Sequence, residues 1–404
     1  FAFLCTMEIP SVVLNKGKEK SIQRFHPWVF SGAINRIINE PPQMPADGDL
    51  VKVVDYKNQF LGIGHFQDAT IAVRVISFKE VAINQNFWNA KIQAAFDVRK
   101  VIGLTDNAAT NMYRLINAEG DGLPGLIIDF YNGTAVIQIH SIGIYNNIEN
   151  IAAALKTVYN KKVVAIYNKS AESIAKQSDI VIENGYLFES GKVNTIGLEY
   201  NYQFNIDWIN GQKTGFFIDQ RENRKLLGDF SKGKKVLNTF CYSGGFSVSA
   251  LKAGATEVHS VDSSQKAIEL TKTNVKLNGE FKNHQSFTSD TLEYLKDCTT
   301  AYDVIVLDPP AYAKHQKSKH NAIQGYKRLN ELALRKIKSG GILFTFSCSQ
   351  VVTRQLFYDT ITSAAIEVGR NIRVLHHLSQ PADHPVNIYH PEGEYLKGLV
   401  LYVE

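Results

Sequence analysis

Four branched apolar side chains in succession, Val304-Ile305-Val306-Leu307, stop abruptly on Asp308-Pro309-Pro310. A strand with one wet face alternates apolar and polar residues, whereas one that is apolar on both sides must be covered on both. Tyr302–Leu307 is therefore predicted to be a central strand of a parallel sheet between two helical layers. Asp308 then emerges at its carboxyl end, where open sheets of this kind bind their ligands. The two prolines remove backbone donors and stiffen the loop that holds this carboxylate.

From about residue 196 onward the neighbouring segments fit the same α/β plan. Lys234–Phe240 reads as a strand, Cys241–Gly245 as a turn, Phe246–Ala253 as a helix, and Glu257–Val261 as a strand ending on Asp262. In such a βαβ unit Gly244 and Gly245 let the backbone approach a ligand, and an acid at the next strand end can hold a ribose's two hydroxyls. Asp262 is the expected ribose ligand, with Phe240, Tyr242, Ser243 and Ser263 beside it. The sequence lacks the Gly-x-Gly-x-x-Gly cradle for a pyrophosphate, which favours a phosphate-free nucleoside over a dinucleotide. S-adenosylmethionine is such a nucleoside. Gln285–Thr288 leads to Ser289-Asp290-Thr291, which places Asp290 and Thr291 where adenine should lie and Asp308 beside the methyl acceptor.

The next predicted strand, Gly341–Phe346, ends in Ser347-Cys348-Ser349. A cysteine there opens into the same pocket as Asp308 and is placed as a nucleophile would be. Carbon 5 of cytosine is a poor methyl acceptor until a thiolate adds to C6 and turns C5 into an enamine carbon; a carboxyl group near N3 shares its proton and stabilises the adduct. Cys348 and Asp308 fit these catalytic roles. A strand-end cysteine taken alone is more often a small buried apolar residue. Cys5 and Cys298 have no comparable setting, and Cys241 beside the turn reads as packing. The four cysteines form no Cys-x-x-Cys pair and no dense framework, as suits a reducing cytoplasm.

Ahead of this half, residues 8–75 read as a small β-barrel and 76–195 as an α+β domain, leaving 196–404 for the α/β domain. In the first, Val51, Val53, Phe60, Ile63, Ile71, Val73 and Val75 mark short alternating runs. Lys16, Lys18, Lys20 and Arg24 lead into His26-Pro27-Trp28-Val29-Phe30, a basic and aromatic mixture that suits a phosphate backbone and equally suits a solvated strand edge over core aromatics. In the second, helices are expected over Asn86–Ile102 and Ile144–Tyr159, and strands over Gly125–Tyr131, Thr134–His140 and Lys162–Tyr167. The acids of Arg114–Gly125 lack calcium-loop spacing and read as a tight turn. Between the strands of the α/β domain, Ala311–Asn330 holds Lys314, Lys317, Lys319, Lys327 and Arg328 with no Asp or Glu, and Tyr312 and Tyr326 add stacking faces. It is expected to be a mobile loop that grips RNA. The net charge of +5 suits a polyanionic partner without requiring one. No apolar run approaches the roughly 20 residues needed to cross a bilayer, and Met7 is taken as the natural start. His376, His377, His384 and His390 have no acidic or cysteine partner at ligand spacing, so no metal is expected.

Several stretches are long enough to be specific: Asn210-Gly211-Gln212-Lys213-Thr214-Gly215-Phe216-Phe217-Ile218-Asp219-Gln220-Arg221, Leu307-Asp308-Pro309-Pro310, Phe344-Thr345-Phe346-Ser347-Cys348-Ser349, Ala382-Asp383-His384-Pro385 and Asn117–Gly125. Together they closely resemble, over nearly the whole chain, the bacterial 23S rRNA cytosine-C5 methyltransferase family of the RlmI (YccW) type. That resemblance implies an N-terminal PUA RNA-binding domain, a small α+β middle domain and a Rossmann-like class I methyltransferase domain, with S-adenosylmethionine as donor and 5-methylcytosine as product. Gln220 and Arg221, which close the first motif, join the expected cofactor set. Ribosomal RNA and a second copy in a homodimer are the expected partners, with no membrane. Where many RNA cytosine-C5 methyltransferases carry a second cysteine just after Asp-Pro, this chain has Pro310 and Ala311, so another base must release the product. The near-match of Asp308-Pro309-Pro310-Ala311-Tyr312 to amino-group methyltransferases keeps a guanine N2 or adenine N6 target as an alternative. A non-catalytic RNA-binding ribosome-assembly factor is a second alternative.

Overall fold

The computed structural model describes residues 9–39, 44–176, 180–313 and 315–404, so Cys5, Met7 and Lys314 lie outside the described residues. The front β domain is a six-stranded sheet in the spatial order Trp28–Phe30, Ile71–Ser77, Phe60–Phe66, Leu50–Val54, Ser11–Leu14, Ile34–Ile38. Its alternating residues Val12, Leu14, Val51, Val53, Val73 and Val75 turn inward to one core, as the period-two pattern requires. Lys16, Lys18, Lys20 and Arg24 remain exposed, and Phe25 and Phe30 are each 46% exposed. Trp28 is spent differently: its indole N–H donates to Glu119 Oε1 at 3.0 Å in the middle domain.

The middle domain is a five-stranded sheet with the helix Gln85–Val101 packed against the helix Ile148–Tyr159. The expected single helix from Ile144 is broken into Ile142–Tyr145 and Ile148–Tyr159. The break falls at Asn146-Asn147, where short amide side chains compete with helical backbone bonds: Asn147 donates to the Gly143 carbonyl at 2.8 Å. The Arg114–Gly125 stretch is a structured turn as read, with Gly122 at φ 66° and Asp121 paired to buried Arg99.

A hairpin, Ile196–Glu199 with Tyr202–Asn205, leads into the α/β domain. Tyr200 and Asn201 turn it with φ values of 51° and 65°, the left-handed pair that a tight two-residue hairpin needs. Elements of the α/β domain are numbered separately. Its strands are β1 Lys235–Thr239, β2 Glu257–Asp262, β3 His284–Thr288, β4 Tyr302–Leu307, β5 Ile337–Ser347, β6 Ile372–Leu378 and β7 Lys397–Val403, in the order β3-β2-β1-β4-β5-β7-β6. Only β7 runs antiparallel to its neighbours. The helices are α1 Arg221–Asp229, α2 Gly245–Lys252, α3 Gln265–Leu277, α4 Thr291–Asp297, α5 Lys319–Lys336 and α6 Arg354–Val368. β4 is central and buried on both faces, with Val304 to Leu307 at 1% exposure or less.

The expected mobile loop over Ala311–Asn330 is corrected: most of it belongs to α5. Ala322, Tyr326, Leu329 and Ala333 recur at helical spacing and are buried, a period that its run of charges concealed. Tyr326 is no stacking face. Its hydroxyl accepts from Ser347 at 3.0 Å and its ring packs on Tyr312 at 4.7 Å. Lys327 sits 3.6 Å from both Glu331 and Glu367, whereas Lys317 and Arg328 are exposed and Lys319 opens the helix.

Candidate active site

The parallel register brings the predicted residues to one edge of the sheet. Thr239 of β1 lies opposite Val261 of β2 and Leu307 of β4, and Leu307 opposite Thr345 of β5. The residues following these positions, Phe240 to Gly245, Asp262, Asp308 and Cys348, therefore leave the sheet on the same side.

The turn after β1 is held under strain. Phe240 and Tyr242 adopt φ values of 53° and 45°, a conformation that costs about 1–3 kcal/mol per non-glycine residue. Hydrogen bonds fix it: Tyr242 N–H donates to Asp262 Oδ2 at 3.0 Å, Thr271 Oγ1 to the Tyr242 carbonyl at 3.1 Å, and Asn274 Nδ2 to the Ser243 carbonyl at 2.7 Å. Gly244 and Gly245 are required by the protein's own packing: an added Cβ would lie 2.8 Å from Thr271 Cγ2 and 2.7 Å from Arg224 Cδ respectively. Asp262 Oδ1 accepts from Ser264 N–H at 2.9 Å, which aims the carboxylate past exposed Ser263. Asp290 caps α4 through Oδ1, and Thr291 is buried as the first residue of that helix. Cys241 is buried against Thr271, and burial pushes its thiol up to about 12.

Asp308 and Cys348 meet beyond the ends of β4 and β5. The Cys348 thiol points at the Pro309 carbonyl, 3.9 Å away, and Gln220 Nε2 donates to Asp308 Oδ1 at 3.0 Å. Burial raises the Asp308 carboxyl to about 7, helped by the Asp219 carboxylate and opposed by the Gln220 bond and Arg224. Burial likewise pushes the Cys348 thiol up to about 12, with Asp308 and Asp219 adding to the rise and Lys397 opposing it. The pair thus holds one readily exchanged proton and one tightly held one.

Two of the expected cofactor residues are committed to the protein. Gln220 spends its amide on Asp308 and on Asn223, whose Nδ2 donates to Gln220 Oε1 at 2.6 Å. Arg221 makes a buried bidentate pair with Asp383 at 2.8 and 3.0 Å. Asp383 also accepts from Arg114 N–H at 2.9 Å, and its carbonyl from Arg99 at 2.7 Å. Burial alone would raise the Asp383 carboxyl, but His384 and Arg221 hold it well below the usual carboxylate range. The Ala382–Pro385 and Asn117–Gly125 motifs are therefore joined: they dock the middle domain to the α/β domain, and Asn117 Nδ2 donates to the Pro385 carbonyl at 3.0 Å.

Two further groups belong to the site. Asp219 Oδ2 accepts from Tyr395 O–H at 2.7 Å, while its buried Oδ1 has no partner among the described residues. Lys397, 4% exposed at the start of β7, donates to the carbonyls of Ser349 at 2.6 Å and Val352 at 2.8 Å. Burial lowers its ammonium to about 8, against the pull of Cys348. Its signal in the sequence is one charge heading the otherwise uncharged strand Lys397–Val403. Of the expected RNA-facing cations, Lys16, Lys18 and Arg24 lie on the front domain and Lys317, Lys319, Lys327 and Arg328 in or beside α5.

Residues 12–78 match the PUA-like domain family and residues 183–387 the S-adenosylmethionine-dependent methyltransferase family. The chain is 38% identical over 399 residues to ribosomal RNA large subunit methyltransferase I of Aeromonas hydrophila, covering 97% of this chain and 98% of that one. It is 36% identical over 401 residues to the protein of the same name from Escherichia coli O139:H28, covering 97% and 99%. A crystal structure of SMU.776, a methyltransferase complexed with SAH, superposes with a TM-score of 0.82 at 24% identity, over 97% of this chain and 99% of that one. A PUA-like sheet in front of a methyltransferase sheet, and curated relatives matched over almost their full length, give one answer: the chain belongs to the ribosomal RNA large subunit methyltransferase I family of S-adenosylmethionine-dependent methyltransferases.

Proposed function

We propose that the protein methylates carbon 5 of a cytosine in 23S ribosomal RNA through a covalent bond between Cys348 and C6. The observation that carries this reading is the meeting of Cys348 with Asp308, a carboxyl raised to about 7, at the sheet edge beside the Asp262 turn. The Asp262 and Asp290 carboxylates and the strained turn fit a phosphate-free nucleoside, with Asp262 on the ribose and Asp290 and Thr291 toward the adenine. S-adenosylmethionine supplies an electrophilic methyl group there.

Asp308 as carboxylate takes the proton of the Cys348 thiol. The thiolate then adds to C6 while Asp308 returns that proton to N3, which leaves electron density on C5 for the methyl group. Asp219 Oδ1, unpartnered among the described residues, accepts the C5 proton; the C5–H electrons re-form the C5=C6 double bond, the C6–S bond breaks to release the thiolate, and Asp308 carries the N3 proton back to that thiolate. Lys397 stabilises that thiolate. Gln220 positions Asp308, and the exposed cations of the front domain and α5 hold the RNA backbone. An amino-group target has less support, because Tyr312 packs on Tyr326 instead of standing free to stack on a base.

RNA carrying 5-fluorocytosine tests the reading, since fluorine cannot leave C5 as a proton does. The parent protein should be methylated-RNA-linked in a gel-stable complex that requires S-adenosylmethionine, and Cys348→Ala should lose both adduct and turnover while keeping cofactor affinity. Full turnover in Cys348→Ala would transfer the assignment to amino-group chemistry. Absence of S-adenosylmethionine binding in the parent would leave the assembly-factor alternative.

A further inference from the structure

The front domain meets the C-terminal loop of the methyltransferase domain at His26, His390 and Glu392, whose ligand atoms all lie within 4.8 Å of one another. His26 Nε2 is 3.9 Å from Glu392 Oε1, and His390 Nε2 is 3.8 Å from Glu392 Oε2. His390 is 2% exposed, and neither of its ring nitrogens has a hydrogen-bond partner among the described residues. A buried imidazole with both nitrogens unsatisfied is costly unless something at the site binds it. The ring is fixed in place by Trp28, whose ring lies 4.3 Å away. The Trp28 backbone holds the His26 ring at Nδ1, its N–H donating at 3.2 Å and its carbonyl lying 3.4 Å away, while Nε2 faces Glu392.

We propose that His26, His390 and Glu392 bind a divalent transition-metal ion of the zinc type, which pins the front domain to the catalytic domain. Two imidazole nitrogens and a carboxylate form a ligand set that zinc accepts, with water as the fourth ligand. Ligands of one tetrahedral zinc lie roughly 3.3 Å apart, so the three donors need only a small closure, and the exposed Glu392 side chain is free to supply it. The expectation of no metal rested on spacing along the chain. It missed Glu392 two residues after His390, and it could not see His26 arriving from another domain.

The test uses the full chain stripped with a chelator and titrated with Zn²⁺ by calorimetry and with Co²⁺ by visible absorption. One equivalent should bind, Co²⁺ should show tetrahedral d–d bands, and Zn²⁺ should raise the unfolding temperature. Glu392→Gln, at an exposed side chain, and His390→Asn should each weaken binding by about tenfold or more, since even outer contacts of a metal site are worth that much. Replacing the exposed pair His376 and His377 with alanine should leave the affinity unchanged. The assignment is overturned if no saturable equivalent binds, if Glu392→Gln binds as the parent does, or if the His376/His377 variant is the one that loses the ion.

Discussion

Asp308 and Cys348, the proposed catalytic pair, make opposite demands on protons. With Asp308 at about 7 and Cys348 at about 12, the reactive form is carboxylate plus thiol. Below about pH 7 Asp308 already carries a proton and cannot take the thiol's. Adduct formation on 5-fluorocytosine RNA should therefore rise with pH through about 7 and then level, because above 7 Asp308 is ionised while the thiol stays protonated up to about 12. A rate that falls through pH 7 would remove Asp308 from this role. Asp219→Asn should separate the two halves of the reaction: methyl transfer persists, while a gel-stable adduct accumulates on ordinary RNA because C5 keeps its proton. Asp262→Ala should weaken S-adenosylmethionine binding by about 1–3 kcal/mol, since ribose hydroxyls lose a charged acceptor; unchanged affinity in a titration would place the ribose elsewhere.

At the scale of elements, the turn between β1 and α2 and the helix α5 illustrate two kinds of constraint. Gly245→Ala would push a Cβ to 2.7 Å from Arg224 Cδ, and Arg224 is buried in a bidentate pair with Glu199 at 2.6 and 2.7 Å. Overpacking there should cost about 1–3 kcal/mol in urea unfolding. In α5 and the turn before it, cations differ in what they are free to do. Lys317→Ala and Arg328→Ala should each reduce the salt slope of RNA binding by about 1. Lys327→Ala should leave it nearly unchanged, because Glu331 and Glu367 already flank that ammonium.

At the scale of the whole molecule, buried ionisable groups tie the domains together and set the response to acid. Removing one partner of the Arg221–Asp383 pair strands a buried charge, so Arg221→Met should cost about 3–5 kcal/mol. Burial lowers His65, His140 and His284 to about 4, below the ordinary value of 6.5. A depressed folded-state value means that the unfolded chain takes up protons first. Their contribution is thus fully present above about pH 6.5 and is lost as pH falls toward about 4. Asp383, also depressed, adds loss in the same direction at still lower pH. Urea unfolding between pH 7 and 5 should show the midpoint falling; a flat midpoint would mean that these rings are solvated.

Local pattern was enough for whatever depends on neighbours in sequence. Val304–Leu307 could only be a strand covered on both faces, and the residues ending β1, β2, β4 and β5 had to emerge at its ligand-binding edge, so Asp262, Asp308 and Cys348 were legible before any fold was seen. The helical period of α5, carried by Ala322, Tyr326, Leu329 and Ala333, was in the sequence as well, but the run of cations masked it and the segment read as a loop. What depends on partners far along the chain was decided by the tertiary structure alone. Gln220 and Arg221 belong to one motif, yet one was drawn to Asp308 and the other to Asp383, 162 positions away. Lys397 reaches the site because β7 inserts antiparallel beside β5. His26, His390 and Glu392 meet because two domains close on each other. Sequence periodicity reports which side of an element is apolar; only packing determines which distant charge lies opposite it, and that opposition sets the proton affinities on which the chemistry rests.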